Sequence, residues 1–400
     1  MNRLWVVEPT WSVTGTAADH RLAASPNGVE RALVALAHAL VAHGNLPNAD
    51  MLVGLPSIDV ESELAHWIEP LAADLIAQAG HGLVAVGKGY SIGEHELVAR
   101  INLALGNGAA KIRPRPSALG DAPRYLADFD PANFDTVLVL GGDPVHDSAG
   151  EVASVLQDME CSIYVGQRAN ATSDVCSWIL PETHALESWG DALAIDGSLC
   201  LQQPLIAPLL NGRSPLRLLG QCAGLEQSDH EIVKETFAGL GADRSWREAL
   251  HSGLAVLDTQ AELTSPVGEP RYLEVRPKTT GLVIHTYLDR KLRDGRHANN
   301  AWLQELPDPI TKLTWDNVAL FAVSTAENYG VGHGDVVRLT TDDGSIEIPV
   351  MVLPGQDPHT VSVALGYGRD REGRVGSGVG VDALQISRRG TVEVTRTGRT

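Results

Sequence analysis

The chain has 400 residues, of which 44% are hydrophobic, and a formal net charge of −19 from 50 acidic and 31 basic side chains. The length and the hydrophobic fraction predict two or three domains with sizeable cores. The negative charge argues against binding to nucleic acid or to anionic membrane surfaces, and no run of about 18 apolar residues predicts a transmembrane helix.

The amino-terminal residues lead directly into a predicted strand at residues 3–7, without the pattern of a signal peptide. A chain that begins in this way is expected to be a fragment or one half of a larger protein. We also expect it to fold poorly by itself, because parallel sheets need both faces covered and their edges protected.

Short apolar runs alternate with amphipathic stretches over the first two thirds of the chain. Strands are predicted at residues 3–7, 83–86, 136–140, 162–165 and 178–180, and helices at about 26–43, 60–78, 94–105 and 148–159. The helix at 26–43 has clear end signals: Ser25 as N-cap, Pro26 at the first position and Gly44 as the stop. This alternation predicts an α/β fold with a mostly parallel, Rossmann-like sheet.

The strand at residues 136–140 is followed by Gly141, Gly142, Asp143 and Pro144. Its uncharged aliphatic run predicts a strand buried on both faces. Ligands of open α/β sheets lie at the carboxyl ends of strands, and two glycines let a ligand approach the backbone closely. The turn is therefore a candidate site for a nucleotide-like group, and the alternative is a tight turn without a ligand.

Residues 181–215, called the strap here, interrupt the regular pattern with several prolines, and they are predicted to form an irregular loop that carries function or covers the domain. His184 is a candidate base or ligand, although a hydrogen-bonding strut is the favoured interpretation. Glu187, Asp191 and Asp196 suggest a divalent metal, but their spacing is not that of an EF-hand. Hydrogen bonds that pin the loop through backbone N–H groups are favoured instead.

The four cysteines are scattered along the chain without a C-x-x-C pair. This spacing gives no sign of an iron–sulfur cluster or structural zinc, so all four are predicted to be small buried residues.

From about residue 273 short β-rich segments dominate, at 281–285, 335–339, 345–353 and 360–365, which predicts a small barrel. The predicted domains are therefore residues 1–270 and 271–400. The glycine-rich segment 366–380 contains three arginines, which suggests a phosphate cradle, but a mobile loop or a partner-docking strap is the favoured interpretation.

The order of these features resembles the molybdopterin oxidoreductases of the dimethyl-sulfoxide-reductase type. The motifs that carry this resemblance are the Gly-Gly-Asp-Pro turn, Trp178-Ile-Leu-Pro followed by Glu187-Ser-Trp-Gly-Asp191, and the later Asn299-Asn300. A divergent branch, the B subunit of alternative complex III, is more similar still. Its similarity is carried by Trp5-Val-Val-Glu8 with Ala18-Asp-His-Arg-Leu22, by residues 187–208 and by the long run 299–317.

The resemblance covers essentially all 400 residues but only the later half of that subunit's molybdopterin-like region. It implies that the carboxy-terminal barrel is a double-psi barrel. It also implies a cofactor-free scaffold that is not catalytic by itself, in a respiratory quinol oxidoreductase complex. The implied partners are a ferredoxin-like iron–sulfur domain or subunit, haem c subunits and integral-membrane quinol-oxidising subunits, at the periplasmic face of the bacterial cytoplasmic membrane.

The alternative implied by the wider superfamily is the cofactor-binding portion of an oxidoreductase that uses molybdopterin guanine dinucleotide. The turn at Gly141–Pro144 would then hold one nucleotide end, and Asn299, Asn300 and Trp302 would contact the pterin at the barrel entrance. Asp143 weakens this alternative, because a carboxylate repels a diphosphate unless it is paired. The favoured structural role of Asn299, Asn300 and Trp302 is a polar, half-buried seam between the domains that also involves Trp189.

Overall fold

The computed structural model describes residues 2–107, 130–194, 197–257, 281–386 and 389–400. By its contacts the chain forms two compact units. Unit 1 comprises Met1–Pro114, Leu263–Arg369 and Gly378–Thr400, and unit 2 comprises Arg115–Glu262 and Asp370–Ser377. The predicted domain boundary at 270/271 lies outside the described residues, as does Asp196, so both expectations remain predictions.

The strands of the described residues are, in chain order, β1 Trp5–Glu8, β2 His20–Ala23, β3 Thr136–Leu140, β4 Cys161–Gly166, β5 Trp178–Pro181, β6 Gly190–Leu193, β7 Ser198–Gln202, β8 Leu254–Val256, β9 Val283–Leu288, β10 Ala319–Phe321, β11 Val336–Thr340, β12 Ser345–Val352, β13 Thr360–Leu365, β14 Arg389–Thr391 and β15 Glu393–Arg399.

The α-helices of the same ranges are α1 Val13–Thr16, α2 Pro26–His43, α3 Ser62–Ala77, α4 Ile92–Ala104, α5 Pro144–Asp147, α6 Glu151–Asp158, α7 Ala171–Val175, α8 Pro215–Cys222, α9 Asp229–Gly239, α10 Trp246–Ser252, α11 Ala301–Glu305, α12 Val323–Tyr329 and α13 Gly373–Gly376. In none of the described ranges does a helix combine the length and apolar character needed to cross a bilayer.

Helix α2 begins and ends where its local signals predict. The Ser25 hydroxyl accepts a hydrogen bond from the Gly28 N–H at 3.1 Å, and Pro26 occupies the first turn. Gly44 ends the helix with a φ of 78°, a conformation that glycine adopts at little cost. Leu36 and Leu40 then pack with residues of α3 and α4 in the first core of unit 1.

The second part of unit 1 is a mixed sheet in the order β14-β9-β13-β10-β12-β11-β15. It curls around a core that includes Phe321, Val337, Ile348 and Val361. The alternation of β12, with Ile346, Ile348 and Val350 buried, is the one that the sequence indicates. A barrel-like β-rich region is confirmed in this coarse form, and the double-psi connectivity remains a prediction.

Unit 2 contains a parallel sheet in the order β3-β4-β5 and an antiparallel sheet in the order β6-β7-β8. Parallel pairing of β3 with β4 and of β4 with β5 agrees with the predicted α/β class. The prediction that the strand at 136–140 is buried on both faces is wrong. Strand β3 is only partly buried because it lies at the edge of its sheet.

Two further expectations are corrected. The strap is not irregular throughout, because β6 and β7 lie within it and pair with each other. Residues 83–86 are not a strand of any sheet among the described residues. Instead the Val84 N–H donates to Asn102 Oδ1 at 2.9 Å, and Asn102 Nδ2 donates to the Val84 carbonyl at 2.7 Å, so a side-chain amide replaces a neighbouring strand.

Candidate functional site

The Gly-Gly turn lies at the carboxyl end of β3 in unit 2. The Gly141 N–H donates to the Val165 carbonyl at 2.8 Å, so pairing with β4 continues into the turn. Gly141 and Gly142 have φ of 64° and 70°, and a Cβ at either position would meet nothing within 4 Å. Backbone conformation therefore favours glycine here, and open space lies beside the main chain.

Side chains on β4 and α7 hold the turn in place. The Gly142 carbonyl accepts hydrogen bonds from Asn170 Nδ2 at 2.7 Å and from the Tyr164 hydroxyl at 3.3 Å. Asn170 Nδ2 also donates to the Tyr164 hydroxyl oxygen at 2.9 Å. Burial, followed by the nearby Asp143, raises the pKa of Tyr164 to about 12, so this hydroxyl stays protonated at neutral pH.

The Asp143 carboxylate is directed into the protein. Asp143 is 6% exposed, and its Oδ1 accepts hydrogen bonds from the Thr172 N–H at 3.0 Å and the Thr172 hydroxyl at 2.7 Å. The Thr172 hydroxyl in turn accepts from the Val145 N–H at 3.1 Å. Asp143 thus joins α7 to the turn, while Pro144 occupies the first turn of α5. Both donors are uncharged, so these hydrogen bonds orient the carboxylate without neutralising its charge.

His184 and Glu187 organise the strap. His184 Nδ1 accepts a hydrogen bond from the Leu186 N–H at 3.1 Å. The Glu187 carboxylate accepts from the His184 N–H and from the Leu209 N–H, both at 2.9 Å. These bonds, that of Leu209 first, lower the pKa of Glu187. These hydrogen bonds agree with the favoured interpretation of His184 as a strut and of Glu187 as a residue that pins the loop, and a base or ligand role of His184 stays a prediction.

The strap presents an apolar surface that the sequence analysis did not single out. We call it the aliphatic loop; its side chains are Leu205, Ile206, Leu209 and Leu210, which are 76%, 46%, 75% and 80% exposed. The Leu205 and Ile206 N–H groups donate to the Leu186 carbonyl at 2.8 and 3.2 Å. The available signal was the aliphatic run interrupted by Pro204 and Pro208. An ordered loop that exposes large aliphatic side chains marks an interaction surface.

Asn299, Asn300 and Trp302 lie in unit 1, at the start of α11. Asn300 is the N-cap of this helix, and its Oδ1 accepts from the Leu303 N–H at 3.3 Å. Asn299 is partly buried beside it. Trp302 is 85% exposed, so the prediction of a half-buried indole is wrong: its position on this short helix turns the ring toward solvent. Trp189, by contrast, packs within unit 2 against His230 and Trp246.

No metal-binding constellation occurs among the described residues, where no three His, Cys, Asp or Glu side chains are grouped to hold an ion. Cys161 and Cys176 are partly buried, and Cys200 and Cys222 are exposed. The prediction of four buried cysteines is therefore wrong; Cys200, for example, lies on an outward-facing position of β7.

The glycine-rich segment uses its arginines for protein contacts. The Arg371 guanidinium pairs with the Asp174 carboxylate of unit 2 at 2.6 Å. In unit 1, buried Arg369 donates to the Asp294 carbonyl at 2.7 Å. These contacts engage two of its three arginines within the chain, and the roles suggested for this segment stay predictions.

Comparisons with known proteins address the fold. No protein-family model and no curated protein sequence matches the chain. Among solved structures, acetylene hydratase from Pelobacter acetylenicus is similar with a TM-score of 0.71 at 12% identity, over 98% of this chain and 73% of the hydratase chain. Identity this low shows the fold alone. The chain therefore has a fold like that of acetylene hydratase.

Proposed function

We propose that this chain is a non-catalytic scaffold subunit, or part of one, in a respiratory quinol oxidoreductase of the alternative complex III type. Its partners are a ferredoxin-like iron–sulfur domain or subunit, haem c subunits and integral-membrane quinol-oxidising subunits. The assembly lies at the outer face of the bacterial cytoplasmic membrane. The sequence resemblance supports this proposal.

The observation that carries the proposal is the aliphatic loop. Burial of a leucine side chain contributes roughly 1.5–3 kcal/mol, so a few leucines suffice for a stable contact. The loop is pinned in advance by Glu187 and by the Leu186 carbonyl. Preorganisation reduces the conformational entropy that docking would otherwise cost. A scaffold needs this combination of exposed apolar area and fixed backbone.

The test is co-purification from the native host with a tagged chain that carries Leu209→Ser and Leu210→Ser. We expect the double variant to lose haem and iron–sulfur partners that the wild type retains. Val53→Ser is the control, because Val53 is also exposed, at 72%, but belongs to unit 1, whereas the aliphatic loop belongs to unit 2. Full retention of these partners by a folded double variant would refute the docking role.

A second candidate function is supported by the open turn at Gly141 and Gly142. In that case the chain is the cofactor-binding portion of a molybdopterin guanine dinucleotide oxidoreductase. The backbone of the two glycines would hold the nucleotide end, and Asn299, Asn300 and Trp302 would face the pterin, which supplies the redox chemistry when bound. The Asp143 carboxylate is buried against Thr172 and is directed away from solvent.

Thermal melts with guanosine diphosphate separate the two candidates. Gly142→Asn introduces a side chain that fills the open space beside the turn, and asparagine tolerates the positive φ at this position. Gly150→Asn is the control, since Gly150 also has a positive φ of 92° and a Cβ at this position would meet nothing within 4 Å. A nucleotide-dependent rise in Tm for the wild type and the control, absent in Gly142→Asn, would establish binding at the turn. The scaffold proposal predicts no rise in any of the three.

A further inference from the structure

Strand β1 has one unpaired edge. It pairs in parallel with β2 alone among the described residues. The Leu4 and Glu8 carbonyls accept hydrogen bonds from the chain around β2, at 3.2 Å from the His20 N–H and at 3.2 Å from the Ala24 N–H. Peptide groups of a strand alternate in direction, so those of Trp5 and Val7 are directed toward the opposite edge. That edge is a template for another strand.

A second extended segment faces the same space. Residues 83–86 are held by Asn102, whose side-chain amide bonds to both the N–H and the carbonyl of Val84. Because the peptide groups alternate, those of Leu83 and Ala85 are directed away from Asn102. This segment therefore has the geometry of a strand that is paired on one side by a side chain and available on the other.

A groove of about 600 Å³ lies between β1 and residues 83–86, with α2 and α3 as its floor. The floor is apolar and includes Leu33, Leu36, Ile68 and Leu71. Trp5 is fixed at the wall, since its Nε1 donates to Asp74 at 3.1 Å. Both walls are main chain in extended conformation, and the floor is a helical layer. In an α/β sheet, an inner strand has the same surroundings, with a neighbour on each side and helices beneath it.

We propose that this groove binds one extended segment of a partner polypeptide, which completes the sheet as a strand between β1 and residues 83–86. The two walls select an extended main chain over a small molecule. Alternate peptide groups of a strand in this position form hydrogen bonds with β1 and with residues 83–86, so the backbone is paired along both edges. Its side chains on the floor face are aliphatic, as in strands that helices cover.

Two buried carboxyl side chains also line the groove. Glu94 is 2% exposed and Glu30 is 1% exposed. Burial acts to raise the pKa of Glu94, but hydrogen bonds, of which that from Ser91 is the largest, outweigh it, so the pKa is lowered.

The inference concerns a surface separate from the aliphatic loop and rests on the proposed function only in that the chain works with other polypeptides.

The experiment replaces Leu83 by the photoreactive p-benzoyl-phenylalanine in the full chain, in its native host. Leu83 is 58% exposed and lines the groove. Asn2 also lines the groove and is a second probe position. Val53 is the control, because it is 72% exposed but does not line the groove. Irradiation is followed by mass spectrometry of the adducts.

We expect adducts from Leu83 or Asn2, but not from Val53, with one contiguous apolar segment of another polypeptide. A synthetic peptide of that segment is then N-methylated at one position at a time. If the segment is paired on both sides, N-methylation at any single position should lower the affinity about tenfold, including at neighbouring positions. Sensitivity at alternate positions only, an adduct with this chain itself or with a small molecule, or no adduct above the control would overturn the proposal.

The same irradiation in the Leu209→Ser, Leu210→Ser chain separates this inference from the proposed function. The Leu83 adduct should persist even where haem and iron–sulfur partners are lost. Full retention of the haem and iron–sulfur partners by the double variant, together with an intact adduct, would count against the docking role of the aliphatic loop alone.

Discussion

Replacement of Asp143 by alanine should destabilise unit 2 strongly. The substitution removes the acceptor of two buried hydrogen bonds, from the Thr172 N–H at 3.0 Å and the Thr172 hydroxyl at 2.7 Å. Each buried donor left without a partner costs about 1–3 kcal/mol, so the pair costs roughly 2–6 kcal/mol. Since typical domains are stable by about 5–15 kcal/mol, the loss should be a large fraction of the total.

Asp143→Asn is the matched control, because its side-chain carbonyl can accept both hydrogen bonds. The loss should then be about 1 kcal/mol, the difference between a charged and a neutral acceptor. Urea denaturation would measure the loss of unfolding free energy in each variant. Hydrogen exchange of the β4 amides would show whether that loss arises in unit 2. If Asp143→Ala were as stable as the wild type, the carboxylate would not face Thr172, and its placement away from the open turn would be refuted.

Three further predictions concern other positions. Trp302→Ala should change the free energy of unfolding by less than about 0.5 kcal/mol, because the indole is 85% exposed; a loss of several kcal/mol in urea denaturation would mean that the ring is packed. Iodoacetamide at mildly alkaline pH should label exposed Cys200 and Cys222 before Cys176, because burial raises the pKa of the Cys176 thiol; equal rates in peptide mapping would contradict this. Burial raises the pKa of Asp357, so the folded state holds this proton more tightly, and stability should fall as pH rises from about 4 through the raised pKa. Asp357→Asn should lose that dependence in urea denaturation across this pH range, and an unchanged profile would exclude Asp357 as its source.

Local signals were sufficient for the elements whose ends are set by neighbouring residues. Helix α2 follows from Ser25, Pro26 and Gly44 because capping acts within one turn of the helix. The strand and turn at residues 136–144 follow for the same reason, since glycine alone adopts two successive positive φ values readily. The strut at His184 could be anticipated because its partners, Leu186 and Glu187, are close in sequence.

Contacts between distant residues account for what the sequence did not predict. The direction of the Asp143 carboxylate depends on Thr172, which lies 29 residues further along the chain. The pairing of β7 with β8 likewise joins segments on either side of three helices. The sequence of residues 83–86 is typical of a strand. Whether such a segment joins a sheet depends on the presence of a second strand beside it, which its own sequence does not specify. In this chain the side chain of Asn102, and not a strand, forms the hydrogen bonds with Val84.

The central claim is that the chain contributes structure and docking surface, with no molybdenum site of its own. Its most direct test is elemental and pterin analysis of the assembly that co-purifies with the tagged chain from the native host. The account predicts haem and iron from the partners, but no stoichiometric molybdenum, tungsten or pterin. One molybdenum and its pterin per chain would contradict the scaffold proposal and establish the cofactor-binding alternative.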